Sequence, residues 1–432
     1  MSNGTKQKLR MAVIGCGARG KDVYADNQKK FPDRMEVVAA VDIDKDKLTE
    51  MQEKYGVPKE NCYTDANEFF SKPKMADVAC ISTLDTLHYD QAIKAMKAGY
   101  HLLLEKPISP DFKECVEIEK VAKKYNRLVV VCHVLRYTPF YRKVKECVES
   151  GVVGDIVSVQ AIEAVSYWHQ AHSFVRGNWR KKSETSPMIL QKCCHDFDIL
   201  LWLCGKKCKK VSSFGDLNLF KESNAPEGAT KRCLDGCPHT ETCPYYAPRY
   251  YISQLRGGNK GWPMNVINSY PTEENIMEAL KTGPYGRCVY HCDNDVVDHQ
   301  VVNLQLEDGA TIDFTMCAFT KDSYRKLRIM GTMGEIEGDM EKNMIWVKPF
   351  VGDVIEIDVR TLSDDFSGHG GGDTGMIREL IELIMEGKTE GSAISTVSQS
   401  LASHYVAFAA EESRMKDGMQ IDIDEFVSCA DK

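Results

Sequence analysis

The chain has 432 residues, 43% hydrophobic and 27% charged, with 63 acidic against 55 basic side chains and a formal net charge of −8. That is too apolar for disorder and lacks the basic surplus of a nucleic-acid binder, so a globular protein of two or three domains with no nucleic-acid partner is expected. No stretch approaches the ~18 apolar residues of a membrane span, and the polar segment Met1–Arg10 holds no apolar signal core, so a cytoplasmic protein without membrane contact is expected.

Over the first 135 residues, short apolar runs alternate with amphipathic stretches. The runs Leu9–Ile14, Glu36–Val41, Val78–Ser82, Leu102–Leu104 and Leu128–Cys132 predict strands, and Lys45–Tyr55, Tyr89–Ala98 and Phe112–Tyr125 predict helices between them. This is the pattern of a parallel sheet built from βαβ units. Beyond residue 135, longer alternating runs at Ile156–Ala164, Val301–Glu307, Thr311–Ala318 and Lys326–Met330, with a hairpin turn at Asp308-Gly309, predict an open, mostly antiparallel sheet. The fold class expected is therefore α/β, with a parallel-sheet domain over 1–135 and a second α/β domain over 136–432. Residues 221–289, rich in Cys, Pro, Gly and Tyr, read as an insertion. Helical patterns at Gly375–Met385 and Thr396–Met415 close the chain.

The first strand runs into Gly15-Cys16-Gly17-Ala18-Arg19-Gly20, a G-x-G-x-x-G that opens a helical pattern and is followed by Val41-Asp42 at the next strand end. That context is the dinucleotide fingerprint. Gly15 permits the tight turn, Gly17 the approach of a pyrophosphate and Gly20 close helix packing, while the helix amino terminus meets the phosphates. Asp42 is placed to accept both hydroxyls of an adenine ribose and to repel a 2′-phosphate, so NAD is favoured over NADP; Lys45 and Lys47 keep NADP as the minority alternative. Ala18, Arg19, Ser82, Glu105 and Lys106 complete the expected cofactor-binding set.

At the end of the Leu102–Leu104 strand stands Glu105-Lys106-Pro107. Ligands of open α/β sheets lie outside the carboxyl ends of the strands, so Lys106 is expected in the crevice, where it can hydrogen-bond a substrate hydroxyl and pass its proton as hydride leaves. Downstream, Gln191, His195 and Asp198 would share a helix face, with Lys192 beside them. A neutral His195 is suited to relaying an alcohol proton. The bland alternatives are a surface lysine and a core histidine.

Taken together, Gly15–Gly20, Asp42, Glu105-Lys106-Pro107, Arg136-x-x-Pro139 and His195-x-x-Asp198 resemble the Gfo/Idh/MocA oxidoreductase family over nearly the whole chain. The resemblance implies a Rossmann domain followed by an open-sheet domain whose exposed face often mediates oligomers, so a homo-oligomer (dimer or tetramer) is expected. It also implies NAD(P)-dependent oxidation or reduction of a sugar or cyclitol hydroxyl, with Lys106 as acid/base or substrate anchor. Many relatives carry Asp, His and Asp at positions 191, 195 and 198. Gln191 cannot act as a base, which leaves Lys106 and His195 as the catalytic pair.

Substrate contacts are expected from Arg136, Arg176, Trp179, Lys192 and His369. Tyr167-Trp168-His169 and Arg176–Arg180 form an aromatic and basic loop that would either stack on a sugar or pack at an oligomer interface. In His369-Gly370-Gly371-Gly372-Asp373, the Asp reads as a helix N-cap, or the His as a substrate contact. Asp293-Asn294-Asp295 reads as a turn before it reads as a ligand set. Cys233, Cys237 and Cys243, with Cys288 later, have the density of a structural zinc site, buried free thiols being the alternative. Two further functional readings stay open: a redox-assisted, NAD-dependent glycosidase or lyase, and a non-catalytic NAD-dependent sensor.

Overall fold

The computed structural model describes residues 8–387 and 393–430, so residues 1–7 of the polar amino-terminal segment lie outside the described residues. Two sheets organise the chain. The first contains β1 (Leu9–Ile14), β2 (Met35–Val41), β3 (Cys62–Tyr63), β4 (Val78–Ile81), β5 (His101–Leu104) and β6 (Val129–Val131). Their order is β3-β2-β1-β4-β5-β6, every pairing parallel. β4 and β6 are buried along their whole length, as a sheet covered on both faces requires. Strand order reverses between β1 and β4. The loops after β1, β4 and β5 therefore open on one crevice, and these carry Gly15–Gly20, Ser82 and Glu105-Lys106.

The second sheet contains β7 (Ile156–Ser166), β8 (Cys208–Asp216), β9 (His299–Leu306), β10 (Thr311–Thr320), β11 (Tyr324–Gly331), β12 (Gly334–Asp339), β13 (Met344–Pro349), β14 (Ile355–Asp358) and β15 (Ile421–Asp422). Its order is β14-β13-β12-β11-β7-β10-β9-β8-β15, with β7 and β10 parallel and the other pairs antiparallel. β9 and β10 alternate buried and exposed residues, so one face packs and the other stays open. On the packed face, Phe314, Ile312 and Val302 meet Phe197, Ile189 and Leu200 of the helix Met188–Cys204.

The closing helices do more than end the chain. Met376, Ile377 and Leu380 of the helix Gly372–Met385 join Met11, Val13 and Val37 in covering one face of the first sheet. Val397 and Leu401 of the helix Val397–Met415 help to cover the other. The carboxyl-terminal segment thus returns to the nucleotide-type sheet and brings residues 369–373 to its crevice. The insertion is not without order. It holds the helices Ala247–Arg256 and Glu273–Thr282 around a small core of Tyr251, Met264, Ile276, Leu280 and Tyr285.

Gly20 is the tightest point of the first loop, since a Cβ there would stand 2.0 Å from the Gly15 carbonyl oxygen. Gly20→Ala is expected to cost about 1–3 kcal/mol, an overpacking penalty. Thermal unfolding should show a midpoint several degrees lower, and an unchanged midpoint would show that the loop yields freely.

Candidate active site

The loop after β1 leads into a helical amino terminus that no side chain caps. Gly15 has φ +89°, and a Cβ there would lie 2.7 Å from the main chain of Ser82, so only glycine fits. Gly17 precedes the helical segment Ala18–Ala25, whose amino terminus has no side-chain cap, and a Cβ at Gly17 would meet nothing within 4 Å. An open Cα beside uncapped amides fits a diphosphate. Asp42 stands next to them. Its Oδ2 accepts the Cys16 amide at 2.7 Å and its Oδ1 the Asp44 amide at 2.9 Å, with Lys47 Nζ 3.8 Å away. These donors fix the carboxylate at the end of β2, where a ribose would lie.

Ser82 and Arg19, expected to touch the cofactor, are spent on the protein itself. Ser82 Oγ donates to the Gly15 carbonyl at 2.9 Å and so braces the loop. Arg19 turns inward: its Nε donates to Glu105 Oε1 at 2.6 Å and its Nη2 to Asp373 Oδ1 at 2.8 Å, with the Tyr24 hydroxyl also bonded to Nη2. Glu105 accepts from Tyr24 as well, and its Oε2 accepts the Lys106 amide at 2.9 Å. Burial alone would raise the Glu105 carboxyl, but Arg19 first, then Lys106, hold it below the usual carboxylate range.

Lys106 Nζ donates to the main-chain carbonyl of Gln191 at 2.8 Å, which ties the end of β5 to the first turn of the helix Met188–Cys204. One turn later comes His195, buried, with no partner for Nδ1 among the described residues. Burial, then Lys106, His133 and His369, push its pKa well below the ordinary histidine value. The imidazole is therefore neutral and keeps a ring lone pair to accept a hydrogen bond. The Gln191 side chain is held in turn. Oriented to satisfy its neighbours, its oxygen accepts from Trp179 Nε1 at 2.7 Å and its nitrogen donates to Asp85 Oδ2 at 3.2 Å.

His369 lies across the crevice, its ring centroid 6.2 Å from that of His195 and its Nδ1 3.0 Å from Asp373 Oδ2. Asp373 is not an N-cap. Gly371 holds that position, and the Asp373 carboxylate joins Arg19 and His369 from the first turn. His133, which the sequence did not single out, sits behind His195 at 5.5 Å between ring centroids, neither nitrogen hydrogen-bonded among the described residues and Nε2 3.9 Å from Asp198 Oδ1. No spacing in the chain links position 133 to 195.

Several expected contacts are corrected. Arg136 is buried and bidentate to Asp198, at 2.6 Å for both Nε and Nη2, so it holds the helix rather than a substrate. Lys192 Nζ pairs with Glu163 Oε1 at 3.0 Å. Trp179 serves Gln191. Arg176 is buried and gives Nε to the Arg287 carbonyl and Nη2 to the Tyr245 carbonyl, both at 2.7 Å, so it staples the insertion. Asp293 is taken up by Arg180, Lys181 and Arg287.

The zinc expectation for Cys233, Cys237, Cys243 and Cys288 finds no support. Among the described residues no three His, Cys, Asp or Glu side chains are grouped to hold a metal ion. The Arg176 guanidinium reaches Cys233 Sγ at 3.8 Å, a fixed cation where a metal would need thiolates, and burial raises the Cys243 and Cys288 thiols toward their neutral form.

Comparison with known proteins agrees with this geometry. Residues 9–133 match the profile of the oxidoreductase family with an NAD-binding Rossmann fold, and residues 145–419 match that family's carboxyl-terminal alpha/beta domain. The chain belongs to the Gfo/Idh/MocA family and is an NAD-binding oxidoreductase of that family. It is 23% identical over 370 residues to the provisionally named oxidoreductase YteT of Bacillus subtilis, covering 82% of this chain and 83% of that protein. It is 28% identical to the myo-inositol 2-dehydrogenase of Thermotoga maritima over 50% of this chain, a match spanning only 60% of that relative. The fold is shared with the WlbA dehydrogenase of Chromobacterium violaceum, solved with NADH and UDP-GlcNAcA: TM-score 0.67, 18% identity, 97% of this chain and 96% of that one. Among the described residues no helix is long and apolar enough to cross a membrane.

Burial, first among the causes in every case, holds His133, His169, His172, His195 and His404 below the ordinary histidine value. Unfolded, each protonates near pH 6.5. Below that pH the unfolded chain binds protons that the folded one refuses, which removes up to ~1.4 kcal/mol per pH unit for each imidazole that stays neutral. Asp196 and Asp198, raised by burial, offset part of this by taking up protons in the folded state first. The denaturant midpoint should fall steadily from pH 7 to pH 5, whereas a flat profile would mean that the imidazoles are already charged.

Proposed function

We propose that the protein is an NAD-dependent dehydrogenase that interconverts a secondary hydroxyl and ketone of a sugar, glycoside or cyclitol. The observation that carries this reading is the Lys106 ammonium, held at the crevice by the Gln191 carbonyl and one helical turn from a neutral, unpartnered His195. Gly15, Gly17, Ala18 and Gly20 would hold the diphosphate. Asp42 would take the adenine ribose and repel a 2′-phosphate, which favours NAD over NADP. When bound, NAD supplies the hydride acceptor.

The chain's own residues handle the proton and the orientation. Lys106 donates a hydrogen bond to the reacting oxygen, and the neutral imidazole of His195 takes the hydroxyl proton as the carbonyl forms. Gln191, whose amide carries no exchangeable charge, keeps Trp179 and Asp85 in place and leaves the proton to these two groups. The myo-inositol dehydrogenase among the relatives and the sugar-nucleotide complex among the solved structures support a polyol substrate. The open face of the second sheet, with Phe214 and Val301 paired and exposed, would seat a second copy.

One feature favours a second reading, transient oxidation followed by cleavage of a glycoside: the imidazole of His369, oriented by Asp373 near His195, offers another acid or base. Release of an aglycone without net NADH would select it.

Nicotinamide absorbance followed across a panel of inositols and hexoses tests the main reading. Lys106→Ala should lower kcat by about 10²–10⁴-fold while calorimetry shows NAD affinity unchanged. A variant within a few-fold of wild type would remove the lysine from the chemistry, and a wild type that binds NAD tightly but turns over nothing would leave a sensor.

A further inference from the structure

A band of aromatic rings runs outward from the catalytic end of the crevice and ends on the insertion. Lys106 is bonded to Gln191, and the Gln191 amide to Trp179. The Trp179 ring lies 6.1 Å from Phe174, and Phe174 6.1 Å from His169. His169 meets Trp262 of the insertion at 4.9 Å and stacks on Trp168 at 5.6 Å, and Trp168 stacks on Tyr250, also of the insertion, at 5.1 Å. His169 is close enough to Lys192 and Lys106 for both ammoniums to add to the lowering of its pKa that burial begins.

Tyr250 packs against the insertion's core of Tyr251, Met264, Ile276, Leu280 and Tyr285, whereas Trp262 is not part of it. Trp262 is 38% exposed, and Tyr270 and Val266 of the same segment are exposed with it. A large ring left half in water beside a ligand crevice marks a contact surface. The chemistry narrows the occupant. Indole and phenol rings present flat apolar faces with a polar edge, which match the C–H face and flanking hydroxyls of a pyranose. Two cations near this band are already committed, Lys192 to Glu163 and Arg180 to Asp293, and so do not select a phosphate.

We propose that Trp262, backed by the stacked rings of Trp168 and Tyr250, is the platform of a second saccharide subsite, so that the substrate is a glycoside or oligosaccharide. One ring is oxidised at Lys106, and the neighbouring ring stacks on the insertion. This rests on the reading of the Lys106 crevice as a polyol dehydrogenase site and specifies its substrate class.

The test compares hexoses with their methyl glycosides, phenyl glycosides and disaccharides as substrates of the full-length enzyme with NAD. For the hexose series that is turned over, the phenyl glycoside or disaccharide should show a KM about tenfold below that of the parent sugar. Trp262→Ala should erase this advantage, leaving kcat and the parent sugar's KM unchanged, and Trp262→Phe should restore most of it. NAD affinity, measured by calorimetry on each variant, reports that the fold is intact. Equal KM values for parent and glycoside, indifferent to Trp262→Ala, would overturn the subsite while the dehydrogenase reading stands. A Trp262→Ala variant that changes only the oligomeric state in size-exclusion chromatography would overturn it in favour of an interface. Failure of every sugar and glycoside to reduce NAD would overturn the dehydrogenase reading itself, and the subsite with it.

Discussion

The buried carboxylate of Glu105 holds the site together. Three donors converge on it: the Arg19 guanidinium from the nucleotide loop, the Tyr24 hydroxyl from the helical segment after that loop, and the amide of Lys106. It thereby sets the distance between the loop that takes a diphosphate and the ammonium that meets a substrate. Arg19 extends the same linkage to Asp373, and through it to His369. Removing one partner from such a cluster would strand a buried charge, a cost of several kcal/mol. The linkage also explains why the carboxyl-terminal helix Gly372–Met385 must pack back on the first sheet.

Around this centre most charged side chains are committed to one another. Arg136 is paired with Asp198, Lys192 with Glu163, and Arg325 with both Glu163 and Asp196. Lys192 and Asp196 tie the helix Met188–Cys204 to Glu163 and Arg325 of the second sheet, and Asp198 ties it to Arg136 in the segment after β6. Beside them Lys106, His195 and His369 are grouped at the crevice. Catalysis by hydride transfer depends on alignment, and a rigid surround of satisfied charges is a physical way to secure it.

Much of this was legible in the chain. β1 and the helices Lys45–Tyr55 and Phe112–Tyr125 fall where periodicity put them, because their apolar spacing is undisturbed and their ends carry caps, Asp44 and Gly56 for the first helix, Asp111 and Asn126 for the second. β3 escaped because two residues carry no period. The loop glycines and Lys106 were readable since each is demanded locally, by a turn or a strand end. Arg136 and Arg176 were misread for a different reason: a guanidinium looks the same in sequence whether it meets a ligand, a buried carboxylate or two main-chain carbonyls, and only tertiary packing decides. The cysteine cluster failed likewise, its spacing visible and the arginine among its thiols not. His133 and the link from Trp262 to His169 join positions far apart in the chain, which no local pattern encodes.

The most direct test of a dinucleotide held beside Lys106 is calorimetric titration of the wild-type protein with NAD and, separately, with NADP. Binding of NAD at one molecule per chain, with NADP at least tenfold weaker because of the Asp42 carboxylate, is the expected result. Heat from neither nucleotide would contradict the reading of the Gly15–Gly20 loop, and everything built upon it.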